Sequence, residues 1–283
     1  MKTNRKILRK YFDYVQHKRS AILVLSVAVA VVLSLKACIE ASAKEPEDPA
    51  GITMTTKARE LSFVVSGVGD IVIHWGDSKV SNMNDAPSVT DDMGNVYFTF
   101  SHVYSGSAVH NIAINGNVTW LDCSGNQLTA LDVSRSMTLT DLRCAGNQLT
   151  ALDVNRNIAL IYLAVMDNQL TALDVNKNCA LRSLLINRNQ LTDLDVSKNT
   201  ALRDLQITVN QLKNLDLSAN TELNTLLVRD NQFSASALND LFRMLPDVTG
   251  KGHCAISISG NPGSDDCDII IADKKGWTIV YPK

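Results

Sequence analysis

Two polar residue types recur in this 283-residue chain at a fixed interval, and both could bind a ligand or a cation. An Asn-Gln pair returns every 21 residues, and an Asp follows it in the second half of each unit. The amide column comprises Asn126, Asn147, Asn168, Asn189, Asn210 and Asn231. The carboxylate column comprises Asp132, Asp153, Asp174, Asp195 and Asp216. Stacked carboxylates suit calcium, whereas stacked amides suit either a ligand or the backbone of the protein itself.

A structural interpretation is favoured for both columns. Buried turns need hydrogen-bond partners, which a stack of amides provides. The carboxylates lie three residues before a parallel basic row that offsets their repulsion. This row comprises Arg135, Arg156, Lys177 and Lys198. We therefore expect a solvated, self-neutralising face rather than a metal site.

Catalytic motifs are absent from the sequence. It contains no C-x-x-C, H-E-x-x-H, phosphate-binding glycine loop or nucleophile elbow, and its five histidines have no metal-ligand spacing. We predict no catalytic residue, metal or cofactor, and a protein that is not an enzyme.

The same 21-residue interval organises the apolar residues between 118 and 233. Each unit reads L-x-x-L-x-C-x-x-N-Q-L-T-A-L-D-V-S-x-N-T-A, with variation. This unit resembles the leucine-rich repeat, in the 21-residue form of exported lipoproteins from Gram-negative gut bacteria. The resemblance implies a mainly β fold, a solenoid of parallel strands in which each unit stacks about 4.8 Å from the last.

Unit-specific chemistry is confined to the outward positions beside the first strand of each unit, which is where we expect ligand binding. The candidate residues are Arg143, Tyr162, Ala164, Met166, Leu185, Asn187, Gln206 and Arg229. Tyr162, Ala164, Met166 and Leu185 form an unusually apolar stretch for an outer face. Such a patch indicates either an interaction site or the drift of small apolar residues.

Two smaller pieces flank the repeats. Apolar and polar residues alternate in several runs within residues 51–117. This pattern predicts a small antiparallel β domain with a core of its own around Trp75. Trp75-Gly76-Asp77 and His102-Val103-Tyr104 resemble signatures of polycystic-kidney-disease-type immunoglobulin-like domains, although Ser78 replaces a glycine. His102 is then a structural hydrogen-bonder. Residues 234–283 predict an amphipathic helix and further strands, an α/β cap that closes the array.

The first 37 residues indicate export. Eight Lys and Arg and a single acid precede or flank an uncharged run over residues 21–35, as in a signal peptide. Leu35-Lys36-Ala37-Cys38 resembles a bacterial lipobox, which implies lipidation of Cys38 and a tether over residues 38–50. Cleavage after Ala43 and an uncleaved anchor remain alternatives.

The remaining cysteines leave questions of pairing. Cys123 and Cys144 replace the inward apolar residue of later units, which favours buried thiols over a disulfide. Cys254 and Cys267 could pair in an oxidising envelope.

These features predict a non-catalytic binding or adhesion protein, with a structural envelope scaffold as the alternative. The expected partner is a protein or glycan, and the expected location is the outer membrane or cell surface, with periplasmic or secreted alternatives. Residues 38–283 contain 19 bases and 28 acids, which argues against nucleic acid. We expect a monomer held at the membrane by its lipid.

Overall fold

The computed structural model describes residues 51–106, 108–250 and 254–280, and within them the fold is mainly β. The predicted signal peptide, Cys38 and the tether lie outside these residues. The first strands are antiparallel: β1 (Gly51–Thr56), β2 (Glu60–His74), β3 (Val80–Asn82), β4 (Ser88–Thr90), β5 (Val96–Val103) and β6 (His110–Asp122). A short 3-10 helix spans Met83–Asp85.

The remaining described elements belong to the repeats and the cap. The strands are β7 (Leu128–Asp132), β8 (Asp141–Arg143), β9 (Tyr162–Ala164), β10 (Ser183–Leu185), β11 (Asp204–Gln206), β12 (Thr225–Leu227), β13 (Cys254–Ser257) and β14 (Trp277–Ile279). The helices are α1 (Ala235–Met244) and α2 (Ile270–Asp273). This architecture, a leucine-rich repeat solenoid with an antiparallel β piece before it and an α/β cap after it, confirms the predicted fold class.

One leucine per unit sets the register of the solenoid. The end of β6 pairs with β8, and β8 to β14 follow in order, all parallel. The inward leucines face one another directly along the ladder: Leu121, Leu142, Leu163, Leu184, Leu205 and Leu226, followed by Ile256 in the cap. All of them are buried in one continuous core, and each contributes about 1.5 to 3 kcal/mol.

Every repeat turns in the same way, through a left-handed residue immediately before the ladder asparagine. The first two units place glycines there, Gly125 (φ 71°) and Gly146 (φ 64°). Later units use Asp167, Arg188, Val209 and Asp230, with φ between 52° and 57°. A β-branched residue is strained in this region, so Val209 is the least suited of the set.

The antiparallel piece is continuous with the solenoid. Strand β6 runs through residues 117 and 118, so the boundary inferred between them falls inside a single strand. Strand β2 pairs with β6, and β1 pairs with both β6 and β7. Trp75 belongs to the same continuous core as the repeat leucines, so the expectation of a separate Trp75-centred core was wrong. The cause is geometric, because β1 and β2 cover the open end of the first repeat.

The C-terminal piece closes the other end. Ser234 caps α1 by accepting a hydrogen bond from the Ala237 amide at 3.2 Å, and Leu238, Leu241 and Phe242 are its buried face. Asn261 continues the asparagine ladder, since its Oδ1 accepts from the Phe233 amide at 3.2 Å. The cap is therefore built as a modified last repeat.

Candidate functional site: the strand face of the repeats

The asparagine ladder is structural. Asn189 accepts a hydrogen bond from the Leu170 amide at 3.0 Å and donates to the carbonyls of Val165 at 3.0 Å and Ile186 at 3.2 Å. Each ladder asparagine thus ties its own turn to the preceding unit. The backbone role predicted for this column is confirmed, and its amides are not free for a ligand.

A second asparagine column, which sequence reasoning passed over, lies on the opposite side of each unit. Its members are fully buried: Asn157, Asn178, Asn199 and Asn220. Asn199, for example, donates to the carbonyls of Val175 at 3.0 Å and Asn178 at 2.9 Å. The signal was present in the sequence, because an Asn recurs every 21 residues, directly after Arg156, Lys177, Lys198 and Ala219.

The aspartate column caps turns. Each carboxylate accepts a hydrogen bond from the amide two residues later, as Asp132 does from Ser134 at 2.8 Å. Hydrogen bonds from Ser134 hold the pKa of Asp132 below its usual value, and Arg135 adds a smaller effect of the same sign. No cluster of three or more metal-ligating side chains occurs in the described part of the chain.

The outward side of the solenoid strands carries the chemistry that varies from unit to unit. We call this surface the strand face. Its first row, in direct register, runs Trp120, Asp141, Tyr162, Ser183, Asp204, Thr225. Its second row runs Asp122, Arg143, Ala164, Leu185, Gln206, Leu227. A third row, two residues further on, includes Met166, Asn187 and Arg229.

Arg143 organises the N-terminal half of this face. Its guanidinium carbon lies 4.2 Å from the centre of the Tyr162 ring and 5.6 Å from that of Trp120. Tyr97 of β5 meets Trp120 edge to face, with ring centres 5.0 Å apart. We call Tyr97, Trp120, Arg143 and Tyr162 the aromatic strip. Cation–π contacts hold the arginine in place without neutralising its charge.

Asp141 lies in the row between Trp120 and Tyr162. Burial raises the pKa of its carboxyl above the usual value, against the weaker opposing influence of a Thr140 hydrogen bond and of Arg143. The Thr140 hydroxyl donates to Oδ2 at 3.0 Å. The aromatic strip is therefore flanked by a carboxylate that is less stable in its charged form than an exposed one.

Two predicted ligand residues are less accessible than expected. Ala164 is 3% exposed and Leu185 is 8% exposed. In the ladder, Arg143 and Leu185 flank Ala164, and Ala164 and Gln206 flank Leu185. Neighbours one rung away therefore cover these short side chains, and the expectation that Leu185 and Ala164 form an open apolar patch was wrong.

The C-terminal half of the face is a polar network instead. Gln206 donates to both carboxylate oxygens of Asp204, at 3.1 and 3.2 Å. Asn187 donates to Gln206 Oε1 at 3.4 Å and to Met166 Sδ at 3.6 Å, and its own oxygen accepts from the Thr208 amide at 2.8 Å. Met166, Asn187 and Gln206 are thus brought together by hydrogen bonds.

Arg229 is engaged by the cap. Its Nε donates to Ser259 Oγ at 3.0 Å, and it forms an ion pair with Asp230 at 3.6 Å. The structure places this predicted ligand residue at the far end of the strand face, in a role that joins the last repeat to the cap.

Four of the cysteines among the described residues carry no disulfide bond. Cys123 and Cys144 are buried, as predicted, and burial raises the pKa of both thiols. No disulfide joins Cys254 and Cys267, so the pairing considered for them is not formed. Reactive cysteines have lowered pKa values, so the raised pKa values of Cys123 and Cys144 make these two thiols unsuited to nucleophilic chemistry.

His102 lies outside the strand face. It hydrogen-bonds Asp77 at 2.8 Å and stacks on Trp75 with ring centres 4.8 Å apart, while the Tyr104 hydroxyl donates to the Trp75 carbonyl. These contacts support the structural role expected for His102.

Comparison with known proteins finds similarity among solved structures only. No protein-family model matches the chain, and no curated protein matches it. The functional domain of InlJ from Listeria monocytogenes, which includes a cysteine ladder, is 26% identical over 57% of this chain, with a TM-score of 0.39. A leucine-rich repeat protein from Leptospira interrogans is 22% identical over 53% (TM-score 0.45), and the internalin InlF from L. monocytogenes is 24% identical over 53% (TM-score 0.43). This chain covers 49%, 38% and 45% of those chains, respectively.

The two α-helices of the described residues, α1 and α2, are 10 and 4 residues long. No helix in this part of the chain has the length and apolar character of a membrane span.

Proposed function

We propose that this chain is a non-catalytic binding protein of the cell envelope that recognises a protein partner through its strand face, anchored on the aromatic strip. The observation that carries the proposal is the placement of Arg143 between Trp120 and Tyr162. Trp, Tyr and Arg are the residues most enriched at energetic centres of protein interfaces. Here all three are half-buried and held by one another, which lowers the entropy lost on binding.

A protein partner fits this strip better than a glycan does. A glycan that stacked on aromatic rings would need open ring faces. Arg143 occupies one face of Tyr162 at 4.2 Å, and Tyr97 abuts Trp120. What the strip offers is ring edges and guanidinium donors, which suit the backbone and side chains of a protein surface.

The envelope location rests on the leader. Its basic and then uncharged segments support export, and lipidation of Cys38 would anchor the chain when combined with further acyl groups. A monomer on a tether over residues 38–50 would leave the strand face open to a partner.

Paired protein and glycan arrays, probed with the purified full-length chain, test the class of ligand. We expect reproducible protein signals that are lost in Tyr162→Ala and kept in Asp174→Asn, which changes the turn-capping column instead. Signals from glycans alone would contradict the proposal. A chain that binds neither array, while still holding other envelope components in cross-linking experiments, would favour the structural scaffold.

A further inference from the structure

A pair of arginines borders the strand face one residue before the first row. Arg182 and Arg203 occupy equivalent positions of consecutive units, and the Arg203 amide donates to the Arg182 carbonyl at 2.8 Å. Both side chains are half-buried. The ladder therefore holds two like charges about 4.8 Å apart at the backbone, the spacing of neighbouring strands.

The two arginines differ in how they are compensated. Arg203 forms an ion pair with Glu222 at 3.5 Å. For Arg182, no carboxylate lies within 4 Å among the described residues. Burial and the neighbouring Arg203 lower the pKa of Arg182.

The two acids nearest in the repeat, Asp204 and Glu222, interact with groups other than Arg182. Asp204 is 9% exposed and receives the Gln206 amide on both oxygens. Glu222 lies on the far side of Arg203 along the chain. An added anion would therefore relieve the repulsion between the two guanidiniums and give Arg182 an oppositely charged partner.

We propose that Arg182 and Arg203 form an anion clamp that binds a carboxylate side chain from an acidic segment of the partner protein. This proposal rests on the protein-binding function proposed above and adds the chemistry of its ligand. The clamp adjoins the aromatic strip, because Ser183, which follows Arg182, pairs directly with Tyr162. A segment carrying an acidic residue beside an apolar or aromatic one would reach both. Residues 38–283 carry nine more acids than bases. A local basic pair would therefore orient an approaching acidic segment toward this part of the surface.

Fluorescence anisotropy with a labelled octaglutamate peptide and the full-length chain tests the clamp. We expect binding that weakens as salt rises, and at least tenfold weaker binding in Arg182→Gln. Arg203→Gln should have a similar effect. Lys213→Gln, an equal change of charge at an exposed position in the second half of a repeat, should stay within twofold. Thermal melting of each variant checks that its fold is retained.

Three outcomes would overturn the clamp. The first is binding of octaglutamine as tight as that of octaglutamate, and the second is a loss of affinity in Lys213→Gln as large as that in Arg182→Gln. The third is Arg182-dependent binding of polygalacturonate that is tighter than that of octaglutamate, which would assign the carboxylate to a glycan. The result is separable from the array experiment. Failure to bind octaglutamate while Tyr162-dependent protein signals persist would overturn the clamp alone. Octaglutamate binding without those protein signals would count against the proposed function alone.

Discussion

Asn126 exchanges two hydrogen bonds with the backbone of Ser62, donating to its carbonyl at 2.8 Å and accepting from its amide at 2.9 Å. In the interior of the ladder, the preceding repeat supplies such partners. Strand β2 therefore takes the place of a repeat before the first one, and the solenoid is closed at this end by an antiparallel sheet.

Truncation at either end should fray the solenoid. A chain beginning at Ala113 lacks Ser62 and β2, and a chain ending at Gln232 lacks Asn261 and exposes the last rung. Because stability in a solenoid sums over neighbouring interfaces, each cut should raise amide exchange first in the adjacent repeats. Hydrogen exchange by mass spectrometry measures this, with the uncut chain as control. Protection in the first repeat that survives the N-terminal cut would refute the capping role of β2.

Relief of backbone strain should stabilise the fifth turn. Val209 has a φ of 57° and its side chain is 41% exposed, so little packing is lost when it is removed. We expect Val209→Gly to raise the free energy of unfolding by about 1 kcal/mol, because glycine lacks the left-handed penalty of a β-branched residue. Urea denaturation reports the change. The reverse substitution at the equivalent position, Gly146→Val, should destabilise, and a loss of stability in Val209→Gly would count against strain.

Two aspartates should affect stability in opposite directions. Burial raises the pKa of Asp141 in the folded state, so its ionisation opposes folding. This destabilisation appears as pH rises through the unfolded-state pKa and then the folded-state pKa of Asp141. Hydrogen bonds from Ser134 lower the pKa of Asp132, so its ionisation favours folding, and this gain is lost as pH falls through its folded pKa. At pH 7, Asp141→Asn should raise the melting temperature and Asp132→Asn should lower it. Both differences should shrink towards pH 3, and pH-independent differences would refute the electrostatic explanation.

Lipidation of Cys38 remains a prediction. Cells expressing the chain and fed an alkyne fatty acid should label it, and Cys38→Ser should abolish the label. Unlabelled protein in the soluble fraction would favour cleavage after Ala43, and membrane-bound protein without label would favour an uncleaved anchor.

The sequence predicted the elements that repetition specifies. A fixed 21-residue period determines which leucines face inward, and the ladder amides followed from the need to satisfy buried turns. It could not predict the burial of Leu185, because that depends on Ala164 and Gln206 one rung away. The Arg143 stack likewise depends on rotamers across three strands. The continuity of β6 was hidden because residues 110–122 read equally well as two strands.

The burial of Leu185 changes which substitution can test the strand face. Leu185→Glu would place a charge at a buried position and disturb the fold, so a loss of binding in that variant would be ambiguous. Arg143 is half-buried, and its removal leaves the inward core intact.

The most direct test of the account is the affinity of Arg143→Ala for a protein partner identified on the array, measured by calorimetry beside the unmodified chain. Loss of an interface anchor worth about 2 kcal/mol weakens binding roughly 30-fold. We expect at least that loss, with the melting temperature nearly unchanged and with Asp174→Asn binding as the unmodified chain does. Unaltered affinity in a folded Arg143→Ala chain would contradict binding through the aromatic strip.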